Sequence, residues 1–134
     1  MSEILVNKLT GVGTAGDITV TSEGGAATMQ LQQGLAKMWV DLTGDGTALI
    51  NKSANTSGFI DHGTGDYTIS FTNNLDGGAY SVVAEVNFIQ GGQAQNTRIT
   101  ALAAGSVRTL TTNTANATVT DAKRLFNTLH GDLA

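Results

Sequence analysis

The chain has 134 residues, 40% of them hydrophobic, only 13% charged, with a net charge of −4. This leaves room for one compact domain with an extension, and it is not the composition of a disordered chain. There is no cysteine, which removes disulfides, thiolate nucleophiles and thiolate metal sites, and the seven Lys and Arg residues are scattered apart from Lys123-Arg124, which argues against nucleic-acid binding through phosphates.

Met1-Ser-Glu3 lacks a basic lead, and Ile4-Leu-Val6 is too short for a signal core. No apolar run approaches the roughly 20 residues of a membrane span, so neither secretion by this route nor membrane insertion is expected. Residues 1–36 read as an arm rather than a domain. They hold the apolar patch Ile4-Leu5-Val6, the run Gly11-Val-Gly-Thr-Ala-Gly16, a brief strand over Asp17–Thr21 with Ile18 and Val20, and Ala26–Gln33 with Met29 and Leu31. The last stretch fits two helical turns, but helices that short are marginal in water. These pieces are too short and too separated to close a core. An extended arm packed on the rest of the chain or on other copies of it is the economical reading. Its candidate contacts are Ile4, Leu5, Val6, Ile18, Val20, Met29 and Leu31.

Residues 37–134 are patterned throughout. Met38, Val40 and Leu42 alternate with Lys37, Trp39 and Asp41, a strand of period two, and Gly44-Asp-Gly46 turns the chain. Further strands are predicted over Thr47–Asn55 and Gly58–Asp61. Over Asp66–Thr72, Tyr67, Ile69 and Phe71 share one face. After the turn Asn73–Gly78, the longest strand runs from Ala79 to Phe88, with Tyr80, Val82, Ala84, Val86 and Phe88 on one side. Gln95–Leu102, Ser106–Thr112 and a short Ala117–Thr120 follow. In Asp121–His130 the apolar positions 122, 125, 126 and 129 favour a helix begun by Asp121, although alternation around Phe126 also permits a strand. Strands every 8–12 residues with turns between them indicate an all-β fold, an antiparallel β-sandwich or barrel-like domain.

Several stretches carry a resemblance. They are Lys37-Met-Trp-Val-Asp-Leu-Thr-Gly-Asp-Gly-Thr47, Ser53-Ala-Asn55, Ser57-Gly-Phe-Ile-Asp-His-Gly-Thr-Gly-Asp-Tyr-Thr-Ile-Ser-Phe-Thr72 and Ala79-Tyr-Ser-Val-Val83. In this order they resemble a family of phage tail-fibre and related virion proteins, with Asp61–Phe71 the most telling stretch. The resemblance spans about residues 35–131. Leu42 and Ala54 depart from its pattern, and the residues after Gly131 are extra. It implies a β-sandwich knob, often in homotrimers, and it makes the final segment a strand.

The motifs that suggest chemistry are weak. Gly11–Gly16 matches G-x-G-x-x-G, but a strand follows it rather than the helix a dinucleotide needs. Asp41-Leu-Thr-Gly-Asp-Gly46 imitates a calcium loop, yet Lys52 stands where the bidentate Glu belongs. Asp61, His62 and Asp66 offer metal-ligand chemistry but read more simply as turn residues, and no metal or cofactor is expected. No nucleophile elbow is present, so the chain is read as non-catalytic. Trp39 and Tyr80 are either sugar-stacking platforms or core residues, and the scarcity of aromatics favours the core. Gln90, Gln93, Gln95 and Asn96 form the candidate receptor-facing loop, since amides both donate and accept hydrogen bonds; a solvated turn is the alternative.

The expectation is a homotrimeric bacteriophage virion structural protein, a short tail fibre or tail appendage with a host-facing knob. Its partners would be itself, other virion proteins and a host surface glycan. A trimeric capsid decoration protein is the alternative, and a free lectin or polysaccharide hydrolase comes third.

Overall fold

The structure is a computed structural model, and it describes residues 3–13, 17–87 and 95–134. The chain divides into two units, Met1–Leu35 and Ala36–Ala134.

In the first unit, β1 (Thr19–Thr21) and β2 (Thr28–Gln30) pair antiparallel, with Val20 opposite Met29. Ser22 closes the turn twice: its N–H donates to the Ala27 carbonyl at 2.8 Å, and its hydroxyl accepts from Ala27 N–H at 3.2 Å. Asp17 accepts a hydrogen bond from the Gln30 amide, and Leu31 N–H donates to the Ile18 carbonyl at 2.7 Å. The two helical turns that the pattern of Ala26–Gln33 permits, and that so short a segment holds only marginally, do not form. Residues 28–30 are extended and only Leu31–Gly34 curl, into one 3-10 turn. So short a segment gains too few helical bonds to offset nucleation, and β-branched Thr28 suits a strand. No described residue of this unit is buried.

The second unit is built from eight strands among the described residues. These are β3 (Met38–Thr43), β4 (Leu49–Ala54), β5 (Thr56–Asp61), β6 (Asp66–Phe71), β7 (Ser81–Asn87), β8 (Gln95–Ala103), β9 (Ser106–Asn113) and β10 (Arg124–His130). They form two four-stranded antiparallel sheets, ordered β4-β3-β10-β7 and β5-β6-β9-β8. The period-two pattern has the predicted effect. Met38, Val40, Leu42, Leu125 and Leu129 project from the first sheet, Tyr67, Ile69, Phe71 and Val107 from the second, and Leu75 adds to the same buried cluster. Two sheets facing each other across one apolar layer make a β-sandwich.

The segment with the helical pattern is therefore strand β10. It lies between β3 and β7, where both of its edges find hydrogen-bond partners. Leu125, Asn127 and Leu129 point inward, while Arg124, Phe126, Thr128 and His130 alternate with them. Asn127 is the buried polar residue that hides the alternation, and its Nδ2 donates to Thr109 Oγ1 at 2.9 Å. The strand expected over Ala117–Thr120 is reduced to a single bridge, Thr112 with Val119.

Two junctions shape the sandwich. Asn55 alone separates β4 from β5, and so carries the chain from one sheet to the other. It adopts a left-handed φ of 54°, which Asn tolerates better than most residues. Its Nδ2 donates to the carbonyls of Lys37 (2.9 Å) and Asn73 (3.0 Å), and its Oδ1 accepts from Asn73 N–H at 2.7 Å. The second junction gathers around Asp121. Its Oδ1 accepts from Gly65 N–H at 2.6 Å and from the buried Tyr67 hydroxyl at 2.9 Å, which also lies 3.1 Å from the Gly44 carbonyl. Burial, and then the neighbouring Asp121, push the Tyr67 hydroxyl well above the usual phenol range. Gly65 is required there: its φ is 64°, and a Cβ would lie 2.5 Å from the Thr120 carbonyl oxygen.

Candidate interaction surfaces

Each cluster with suggestive chemistry is tied up within the fold. Asp61 Oδ1 accepts from Gly63 N–H at 2.9 Å, which is turn chemistry, and His62 Nε2 lies 2.9 Å from Thr68 Oγ1. Asp66 is held in a two-pronged bond by Arg108, with Nε to Oδ1 at 2.8 Å and Nη2 to Oδ2 at 2.5 Å. Asp41, the first residue of the calcium-like sequence, is gripped the same way by Arg124 across the β3–β10 pair, with Nε to Oδ1 at 2.7 Å. In each pair the guanidinium bonds hold the carboxyl below its ordinary pKa and raise that of the arginine. Each sheet thus carries one forked Arg–Asp pair among the residues that alternate with its core positions. Among the described residues, no group of three or more His, Asp or Glu side chains is placed to hold a metal ion. The glycine-rich run Gly11–Gly16 lies partly outside the described residues.

Half of the candidate receptor-facing loop also lies outside the described residues: Gln90 and Gln93 do, as does Phe88. Gln95 is half-buried, and its Nε2 donates to the Asp121 carbonyl at 3.1 Å. Asn96 is exposed, and its Oδ1 accepts from Thr97 N–H at 2.8 Å.

The seven candidate arm residues separate into two kinds. Ile4 and Leu5 are both 83% exposed, and Val6, Val20 and Met29 are also exposed. Ile18 and Leu31 are half-buried; with Leu9 and Leu35 they form the apolar part of a groove of about 430 Å³ within the first unit. Val20 and Met29, cross-strand partners, make one apolar patch on the hairpin. The first unit thus combines several exposed apolar side chains with no buried residue among those described.

The two aromatic candidates part company. Tyr80 packs against the core edge-on to Phe71, at 6.0 Å between ring centroids, and its hydroxyl donates toward the carbonyls of Ser106 (2.8 Å) and Ala103 (3.1 Å). Trp39 is not a core residue, contrary to the expectation from aromatic scarcity. Its strand sends Met38, Val40 and Leu42 inward, so the pleat turns Trp39 to the outer face, where it is 39% exposed. Compared with protein families, with curated proteins and with solved structures, the chain matches none.

Proposed function

We propose that the chain is a non-catalytic structural protein of a bacteriophage virion, a short tail fibre or tail appendage that assembles as a homotrimer. In this reading residues 1–36 join the copies to one another and to the particle, and the β-sandwich is the outward-facing knob. The observation that carries it is the first unit: some three dozen residues with a formed hairpin, no buried side chain among the described residues and a run of exposed aliphatic residues. Units below about 40 residues usually need oligomerisation, metals or disulfides to be stable, and this chain has no cysteine. The motif order over residues 35–131 supplies the virion part of the reading.

Sedimentation equilibrium of the full chain tests the assembly. A trimer is expected, and Leu5→Glu combined with Val20→Glu and Met29→Glu is expected to drive it to monomer with its sheet circular dichroism unchanged. A parent chain that stays monomeric at high concentration refutes the assembly. Antibody labelling of intact particles tests location: signal on tails supports the appendage, and signal on the capsid shell supports a decoration protein instead.

A further inference from the structure

The register of the first sheet lays out its outer face row by row. One row runs Ala54 on β4, Trp39 on β3, Thr128 on β10 and Val83 on β7. The next runs Lys52, Asp41, Phe126 and Glu85 in the same strand order. The first row is uncharged and partly open, with Trp39 39% and Val83 63% exposed. In the second row Asp41 is gripped by Arg124, so that pair is neutral as a unit. Lys52 and Glu85 are exposed, and among the described residues neither forms an ion pair within its own chain. They stand on the two edge strands, β4 and β7, roughly 14 Å apart across three strand spacings.

Each row complements its own reverse. A second copy can lie face to face with the first, turned about a two-fold axis that runs along the strands between β3 and β10. That axis sets β4 over the partner's β7 and β3 over the partner's β10. Ala54 then meets Val83 of the partner subunit, and Trp39 meets Thr128 of the partner subunit, so each large side chain faces a small one. Lys52 meets Glu85 of the partner subunit, and the symmetry forms that ion pair twice. Phe126 of the partner subunit settles on the neutral Asp41–Arg124 pair. The angle of roughly 30° between packed sheets offsets the outer strands by about one residue, which long Lys and Glu side chains span. A protein of unrelated sequence gains nothing from the reversal of these rows; a second copy does. Four strands of six or seven residues give each face roughly 400 Å². Two such faces bury about 900 Å² together, the size of a weak, reversible contact.

We propose that the outer face of this sheet is a two-fold docking surface for a second copy of the chain, with the Trp39 row at its centre and two Lys52–Glu85 ion pairs between copies at its borders. The contact joins sandwiches rather than arms. It doubles whatever unit the arms form and does not rest on the trimer proposed above.

The full chain carrying Leu5→Glu, Val20→Glu and Met29→Glu, which removes the arm contacts, is taken from about 5 µM to about 0.5 mM at low salt. Its sedimenting mass should move from one chain toward two. Trp39 is the chain's one tryptophan, and its emission should shift to shorter wavelength over the same range. In that background Lys52→Glu or Glu85→Lys alone should weaken pairing at least about tenfold, because each sets like charges together twice. The two together should restore it, with the ion pairs reversed. In the parent chain, zero-length carbodiimide coupling should join Lys52 of one copy to Glu85 of another, since their separation exceeds their reach within one chain. No change in mass or emission by 0.5 mM overturns the contact. So do single charge reversals that the double variant does not rescue, a mass that grows beyond two chains in the arm variant, or coupled products without the Lys52–Glu85 link.

Discussion

Asn127 and Thr109 meet inside the sandwich, one from each sheet, through a 2.9 Å hydrogen bond between two side chains that solvent scarcely reaches. Among the described residues, Asn127 Oδ1 has no partner. The pair therefore combines a satisfied bond with an unsatisfied acceptor. Removing one member should harm the fold more than removing both. Asn127→Ala, which leaves a void and strands the Thr109 hydroxyl, should lower stability by about 2–3 kcal/mol. The double variant Asn127→Leu with Thr109→Val should come within about 1 kcal/mol of the parent or exceed it, because it removes the unpaired acceptor and restores the volume. Urea denaturation of the three proteins measures the difference.

The crossing at Asn55 gives a second prediction. Asn55→Ala loses three side-chain hydrogen bonds and puts a Cβ residue without local polar compensation at φ 54°. A loss of about 2–4 kcal/mol is expected. Asn55→Gly loses the same bonds but relieves the backbone, so it should be less destabilised than Asn55→Ala by about 1 kcal/mol. Equal losses in thermal or urea melts would show that the side-chain bonds alone hold the corner.

Tyr67 sets the alkaline limit. Its folded-state pKa is raised, so the folded chain favours the protonated hydroxyl. That contribution is whole below about pH 10, the unfolded value, and is lost as pH rises from there toward the folded pKa. Stability should therefore decline above about pH 10. Tyr67→Phe should be less stable at neutral pH by about 1–2 kcal/mol, for want of the bond to Asp121, and should decline less steeply above pH 10. Tyr80, raised by its own burial, leaves a residual slope. Melting temperatures of both proteins from pH 7 to 11.5 test this.

How far the sequence could be read depended on whether one face of a strand was uniformly apolar. Met38-Val40-Leu42 and Tyr67-Ile69-Phe71 announced their inward faces, and both form buried rows. Around Leu125–Leu129 local pattern pointed the wrong way, because the inward middle position is Asn127 and the outward one is Phe126. A polar residue bonded across a core is indistinguishable by sequence from a solvated one. Trp39 is obscured for a different reason. Scarcity of aromatics suggested the core, while the alternation of its own strand already placed it on the other face. The Asp121–Tyr67–Gly65 junction left no trace in sequence spacing, since its members are brought together over more than 50 residues by the pairing of β6 with β9.

The position of β10 bears on how the protein is made. Two of the sandwich's internal strands, β3 and β10, stand at nearly opposite ends of the second unit's sequence, and β7 has no neighbour in its sheet other than β10. Until a ribosome has released His130, the nascent chain holds β3 and β7 as two unpaired borders and half a core open to water. Assembly of the sandwich thus waits until β10 has left the ribosome. Any truncation before residue 124 should give an aggregating chain rather than a smaller folded one.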